Sequence, residues 1–87
     1  MDIRELRQQI DEIDKELVDL FIKRMGLSAQ VAQYKKEKEL PIYVPAREQE
    51  ILSALASQAG PGMAAYVAGL YETIFTLSRD YQKEVLK

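Results

Sequence analysis

The sequence predicts an all-α protein with three helices per chain: one long, one short and one of medium length. Three observations support this fold class. Apolar residues recur in steps of three and four through the N-terminal part, prolines fall in only two short segments, and no segment alternates apolar and polar residues as a strand does. At 87 residues, we expect a single helical domain over residues 1–87.

The first helix is predicted to begin after Asp2, which can cap it, and to continue without a break towards Pro41. About 36 residues at 1.5 Å each make a rod of roughly 50 Å, longer than the rest of the chain can cover. We therefore expect a homodimer, in which a second copy covers the apolar seam of this helix. The seam consists of Ile3, Leu6, Ile10, Ile13, Leu17, Leu20, Leu27, Val31 and Tyr34.

Two further helices are predicted after the prolines. The second runs from Pro45, which suits the first position of a helix, to about Gln58, and the segment Gly60-Pro61-Gly62 ends it. Its apolar face is formed by Ile51, Leu52 and Leu55, and Glu48 lies on the same face. The third helix covers about Met63 to Val85, and its apolar stripe includes two polar residues one turn apart, Ser78 and Gln82.

The composition excludes several classes of chemistry. The chain has no cysteine and no histidine, so we expect no disulfides, no thiolate catalysis and no bound metal. A net charge of −2 without a basic block argues against nucleic acid and anionic membranes as partners. No signal segment or membrane span is recognisable, which predicts a cytoplasmic protein.

Arg24 occupies a position of the seam where the repeat calls for an apolar residue. It shares a helix face with Lys35, roughly 16 Å further along the axis, and two such cations suggest an anionic ligand held from both ends. Pairing of Arg24 with a carboxylate of a partner helix is the alternative. Arg7 lies about 25 Å from Arg24 along the same helix. An antiparallel partner helix would bring its own Arg7 close to Arg24 of this chain. The alternative is that Arg7 is an ordinary solvated charge.

Four more polar residues are candidates. Ser78 and Gln82 offer a hydroxyl and an amide towards the interior, either to a ligand or as a polar link between helices. Arg47 and Glu48 begin the second helix and are either part of the site or an exposed ion pair. Such groups could bind a multiply charged acid and stabilise charge that shifts within it, but they are poorly equipped for covalent or proton-transfer catalysis.

Four features in order, spanning nearly the whole chain, resemble the all-helical class of chorismate mutase. The features are Leu-Arg-Gln-Gln-Ile-Asp-Glu-Ile-Asp at 6–14, Arg24 followed eleven residues later by Lys35, Pro-Ile-Tyr-Val-Pro-Ala-Arg-Glu at 41–48, and Ser78 with Gln82. The resemblance implies an intertwined dimer of three-helix chains with two equivalent sites. It also implies a function in aromatic amino acid biosynthesis, the conversion of chorismate to prephenate by a Claisen rearrangement without cofactor or metal.

The resemblance further implies roles for the candidate residues. Arg24 would hold one substrate carboxylate, and Arg7 of the partner subunit would hold the second. Lys35 and Gln82 would donate hydrogen bonds to the ether oxygen, where negative charge grows. In the rest of the site, Ser78 would help to hold a carboxylate, Glu48 would accept from the ring hydroxyl, and Arg47 would brace that region.

Val44 departs from the family pattern, because many members carry Asp at this place. Valine cannot cap the second helix, and it removes a carboxylate from the hydroxyl pocket, so we expect a working site with looser substrate binding. A small apolar residue here also occurs in the related isochorismate pyruvate-lyases, whereas Ser78 favours the mutase. Two alternatives therefore remain: a lyase, and a non-catalytic helical dimerisation or regulatory module. Docking onto another enzyme of the shikimate pathway is also compatible with the sequence.

Overall fold

The structure, a computed structural model, describes residues 2–87 and contains three helices: α1 (Ile3–Glu37), α2 (Pro45–Ala59) and α3 (Ala64–Val85). No strand occurs among these residues. The predicted all-α class, with one long, one short and one medium helix, is confirmed. None of the three helices combines the length and apolar character that crossing a lipid bilayer requires.

Both ends of α1 are fixed by hydrogen bonds. The Asp2 side chain caps the helix as predicted, accepting a bond from the Glu5 amide at 3.0 Å. The helix ends at Glu37, several residues before Pro41. Two residues after this end, Glu39 takes a left-handed conformation with a φ of 55°. The Leu40 amide then bonds back to the Lys35 carbonyl at 2.8 Å, a common way of closing a helix. Sequence periodicity could not locate this turn, because glutamate rarely adopts a positive φ.

Helix α3 packs against both α1 and α2, whereas α1 and α2 have no close backbone approach within residues 2–87. Helix α2 presents the half-buried Ile51, Leu52 and Leu55, as predicted. At its other end, Gly60 adopts a φ of 82°, which turns the chain towards α3. The three helices and the 38–44 linker therefore leave a concave surface that α3 borders along its C-terminal half.

Within residues 2–87, a single chain has almost no apolar core. Among residues 2–87, the buried apolar side chains are Ala32 and Phe75. Every residue from 2 to 20 is exposed, although this stretch carries most of the apolar seam. The molecule measures 54 × 27 × 14 Å with a radius of gyration of 16.0 Å, against about 12 Å for a compact chain of this length. A long apolar face of α1 is thus left uncovered by its own chain.

Candidate active site

The concave surface forms an open cavity of about 350 Å³ between α1, α3, the linker and the start of α2. Seven of the eight candidate residues line it, and Arg7 is the exception. The seven are Arg24, Lys35, Val44, Arg47, Glu48, Ser78 and Gln82. Leu27, Val31, Ile42, Ile51 and Phe75 supply an apolar lining between these polar groups.

Arg24 is held by aromatic rings of α3. Its guanidinium carbon lies 5.8 Å from the ring centroids of both Tyr71 and Phe75, a distance at which a cation is attracted to the ring face. The two rings meet edge to face, 5.9 Å apart. Among residues 2–87 no carboxylate forms an ion pair with Arg24. The half-buried guanidinium therefore keeps its hydrogen-bond donors for a group from outside the chain.

Lys35 reaches across the cavity to the linker. Its Nζ donates to the Ile42 carbonyl at 2.9 Å. The turn at Glu39 makes this contact possible, because it folds the linker back along the last turn of α1. An ammonium group has three donors, so two remain available to a ligand while the linker holds the third.

Ser78 and Gln82 belong to a buried hydrogen-bonded chain that also includes Ser28 of α1. The Gln82 amide nitrogen donates to Ser78 Oγ at 3.2 Å, and Ser78 Oγ donates to Ser28 Oγ at 2.8 Å. All three side chains are less than 10% exposed. Ser78 and Gln82 thus form a polar link between helices and also line the cavity, so the two interpretations of these residues are compatible.

The Gln82 amide has unused hydrogen-bonding capacity. Its Oε1 is buried without a partner among residues 2–87, and one of its two N–H groups is not taken by Ser78. A buried amide with free groups costs stability unless a ligand satisfies it. This position is therefore suited to a polar ligand atom.

Arg47 and Glu48 do not pair with one another. Arg47 forms an ion pair with Glu50 at 2.6 Å on the exposed surface. An exposed ion pair was the alternative to a role in the site for this side chain. Glu48 instead pairs with Arg79 of α3, a residue that the sequence analysis did not single out. The hydrogen bond from Arg79 to Glu48 raises the pKa of Arg79 above its usual value. Burial alone would lower this pKa, but its effect is smaller, so Arg79 stays charged.

Val44 is the N-cap residue directly before α2, and its side chain makes no capping hydrogen bond. Its carbonyl accepts from the amides of Arg47 and Glu48, at 3.1 and 3.3 Å. The expected loss of a side-chain cap is thus observed, while the backbone contacts at 44 are retained.

Sequence reasoning missed Ser28 and Arg79 for different reasons. Ser28 lies on the same face as Arg24, but a small polar residue on a helix is common. Arg79 lies about 100° around α3 from Ser78, off the stripe that periodicity follows. A usable signal was Glu48 on the apolar face of α2, since a partly buried carboxylate calls for a cation nearby.

The cavity is strongly cationic for an acidic protein. Of residues 2–87, four cations line it, Arg24, Lys35, Arg47 and Arg79, against one carboxylate, Glu48. Four cations and a buried hydroxyl–amide pair suit a small molecule with more than one negative charge. In the part of the chain that the structure describes, no cluster of acidic side chains could hold a metal ion.

The sequence model of the chorismate mutase type II family matches residues 6–83 of this chain. The chain belongs to that family. A solved chorismate mutase from Thermus thermophilus has the same fold, with a TM-score of 0.88 and 30% sequence identity over 93% of each chain. The family resemblance inferred from the sequence is therefore confirmed.

Two longer curated proteins are also similar. The T-protein of Enterobacter agglomerans is 48% identical over 54 residues, which are 62% of this chain and 14% of that protein. A bifunctional chorismate mutase/prephenate dehydratase from Aquifex aeolicus is 39% identical over 54 residues, 62% of this chain and 15% of that protein. The chain thus spans only about a seventh of the length of these relatives.

Proposed function

We propose that this chain catalyses the rearrangement of chorismate to prephenate. Family membership supports the reaction, and the single observation that carries the assignment is the convergence of seven candidate residues on one cationic cavity. Chorismate carries two carboxylates, a ring hydroxyl and a breaking ether bond. The cavity offers cations, a carboxylate and neutral donors, which are complementary to these groups.

In the proposed mechanism the protein transfers no proton. The substrate's ether C–O bond breaks while a new C–C bond forms in the same molecule, and negative charge grows on the ether oxygen. The free N–H groups of Lys35 and Gln82 would stabilise that charge, and Arg24 would hold a carboxylate so that the reacting carbons meet. Ser78 would support the carboxylate, and Glu48 would accept from the ring hydroxyl.

We infer that the active form is a homodimer with Arg7 of the partner subunit in each site. The exposed seam supports this inference: Ile10, Ile13 and Leu17 are 54–55% exposed, although the repeat that they form is typical of a helix interface. Arg7 lies about 25 Å along α1 from Arg24, so its own chain cannot bring both to one small molecule. An antiparallel partner helix would supply the missing cation.

Val44 supports a second candidate function, the cleavage of isochorismate to salicylate and pyruvate on the same scaffold. Val44 lines the cavity where many family members carry Asp. Comparing the two activities on one preparation separates the candidates, and we expect prephenate formation to exceed salicylate formation. The reverse order would assign the chain to the lyases.

Docking onto another enzyme of the same pathway also belongs to this proposal. The Aquifex aeolicus relative joins a chorismate mutase and a prephenate dehydratase in one protein, which supports a physical association of consecutive activities. Co-purification of this chain with a prephenate-consuming enzyme from its own source would support the idea.

The decisive test is loss of chorismate absorbance with the purified chain and with a Lys35→Ala variant. Removing one donor from a developing oxyanion typically costs about 10²–10³ in kcat, and we expect a loss of that size. Lys36→Ala is the matched control, because Lys36 is the exposed neighbour on α1. Unaltered turnover in Lys35→Ala would remove the basis of the mechanism. If the wild-type chain neither turns over chorismate nor binds a bicyclic dicarboxylate mimic of the transition state in a titration, it is a non-catalytic helical module.

A further inference from the structure

Beyond its contribution to the positive charge of the cavity, Arg79 has no role in the site as described so far, although it lines that cavity. Its guanidinium Nη1 donates to Glu48 Oε2, and the two side chains are only 25% and 21% exposed. On the other side, the guanidinium carbon lies 4.6 Å from the centroid of the Tyr43 ring. Arg79 is thus fixed between a carboxylate of α2 and an aromatic ring of the linker.

Among residues 2–87, Glu48 is the only acidic residue that lines the cavity, and three further cations, Arg24, Lys35 and Arg47, line it as well. A carboxylate that is free to move in such a cavity would pair with one of these cations. It would then compete with the carboxylates of an anionic ligand. The pair with Arg79 prevents this competition, because it occupies Oε2 and leaves Oε1 as an acceptor.

We propose that Arg79 is a positioning residue that holds Glu48 away from the ligand-binding cations and aims its free oxygen at the substrate hydroxyl. The inference rests on the proposed function. Arg79 acts through Glu48 and does not itself touch the substrate. Tyr43 supports Arg79 from the linker by a cation–π contact.

The kinetics of Arg79→Gln should separate this role from a structural one. Because the freed Glu48 competes with substrate carboxylates, we expect KM for chorismate to rise about tenfold while kcat falls less than about threefold. Arg79→Lys keeps the charge and should stay within about threefold of the wild-type KM. Arg4→Gln is the matched control: it also removes an ion-paired arginine, but one whose side chain is 89% exposed.

A double-mutant cycle with Glu48→Gln tests whether Arg79 acts through Glu48. In the Glu48→Gln background there is no carboxylate to hold, so adding Arg79→Gln should change KM by less than about twofold. Tyr43→Leu should raise KM about two- to threefold, and Tyr43→Phe should leave it unchanged because the ring is retained.

Three results would overturn the inference. An equal, roughly tenfold effect of Arg79→Gln in both backgrounds would mean that Arg79 binds the substrate directly. Unchanged KM and kcat, with only a lower melting temperature, would reduce Arg79 to a structural ion pair. A wild-type chain without any chorismate turnover would overturn the proposed function and this role with it, whereas the first two results would leave the function standing.

Discussion

Gln82 is the residue whose chemistry the proposed mechanism constrains most tightly. It must donate to an oxygen that becomes negative, and a neutral amide does so at any ordinary pH. Its nitrogen already donates to Ser78, which fixes the amide in the wall of the cavity. The side chain is 7% exposed, so a charge introduced at this position would be poorly solvated.

Gln82→Glu should therefore confine activity to low pH. A carboxyl donates only when it is protonated, and glutamate in water has a pKa of about 4.3. Burial and the loss of solvent raise that pKa, while the nearby cations lower it. Activity should be confined to low pH and should fall as the pH rises through the pKa of the introduced group. A pH–rate profile checks this, and equal activity of the variant at pH 8 would contradict the donor role.

Ser28 offers a second test at the residue scale. Ser28 Oγ accepts a hydrogen bond from the Ser78 hydroxyl. Ser28→Ala therefore removes the last member of the buried hydrogen-bonded series that orients Gln82. We expect kcat to fall about two- to fivefold, because the amide is then held less firmly in the geometry that donates. Ser57→Ala, on the exposed side of α2, is the control and should match wild type. A Ser28→Ala enzyme with unaltered kcat would show that the chain does not orient the amide.

At the scale of the elements, the start of α2 carries a local defect. Val44 leaves the first amides of the helix without a side-chain acceptor, and Asp or Asn at such a position is typically worth 0.5–2 kcal/mol. Both Val44→Asp and Val44→Asn should therefore raise the melting temperature. Only the aspartate also adds a carboxylate to the cavity. Its capping bond to the α2 amides would keep this carboxylate from competing with the substrate for the cations and leave it beside the hydroxyl pocket, so a lower KM is expected for Val44→Asp alone. If neither variant is more stable than wild type, the capping argument fails at this position.

The helices themselves were predictable from the sequence because their signals are local. The Asp2 cap, Pro45 and the segment 60–62 give boundaries within about two residues of those observed, apart from the C-terminus of α1. The common face of Arg24 and Lys35 follows from helical periodicity in the same way. The left-handed turn at Glu39 was not predictable, since it depends on a conformation that glutamate seldom adopts.

The contacts between helices could be predicted from the sequence less well than the helices themselves. The sequence indicated Glu48 and Ser78 as candidates, but not their partners Arg79 and Ser28. Those pairs depend on how α3 is placed against α1 and α2, and the period of an apolar stripe does not specify that placement. The side chains that complete the site are thus the ones that required the three-dimensional structure.

At the scale of the whole molecule, the chain is too extended to enclose its own apolar surface. Among residues 2–87, five are buried, and three of them, Ser28, Ser78 and Gln82, are polar residues of the candidate site. An isolated helix with its seam in water would be only marginally stable, since helices in proteins depend on packing of their apolar face. In the proposed dimer, the second copy therefore supplies both stability and the missing arginine.

Mixing two inactive variants tests this requirement most directly. Arg7→Ala and Arg24→Ala should each abolish chorismate turnover when assayed alone. Unfolded together and refolded as an equal mixture, they should form mixed dimers in which one of the two sites has both arginines. Random pairing predicts recovery of about a quarter of wild-type activity. No recovery from the mixture, or full activity of Arg7→Ala on its own, would contradict a site that is shared between two chains.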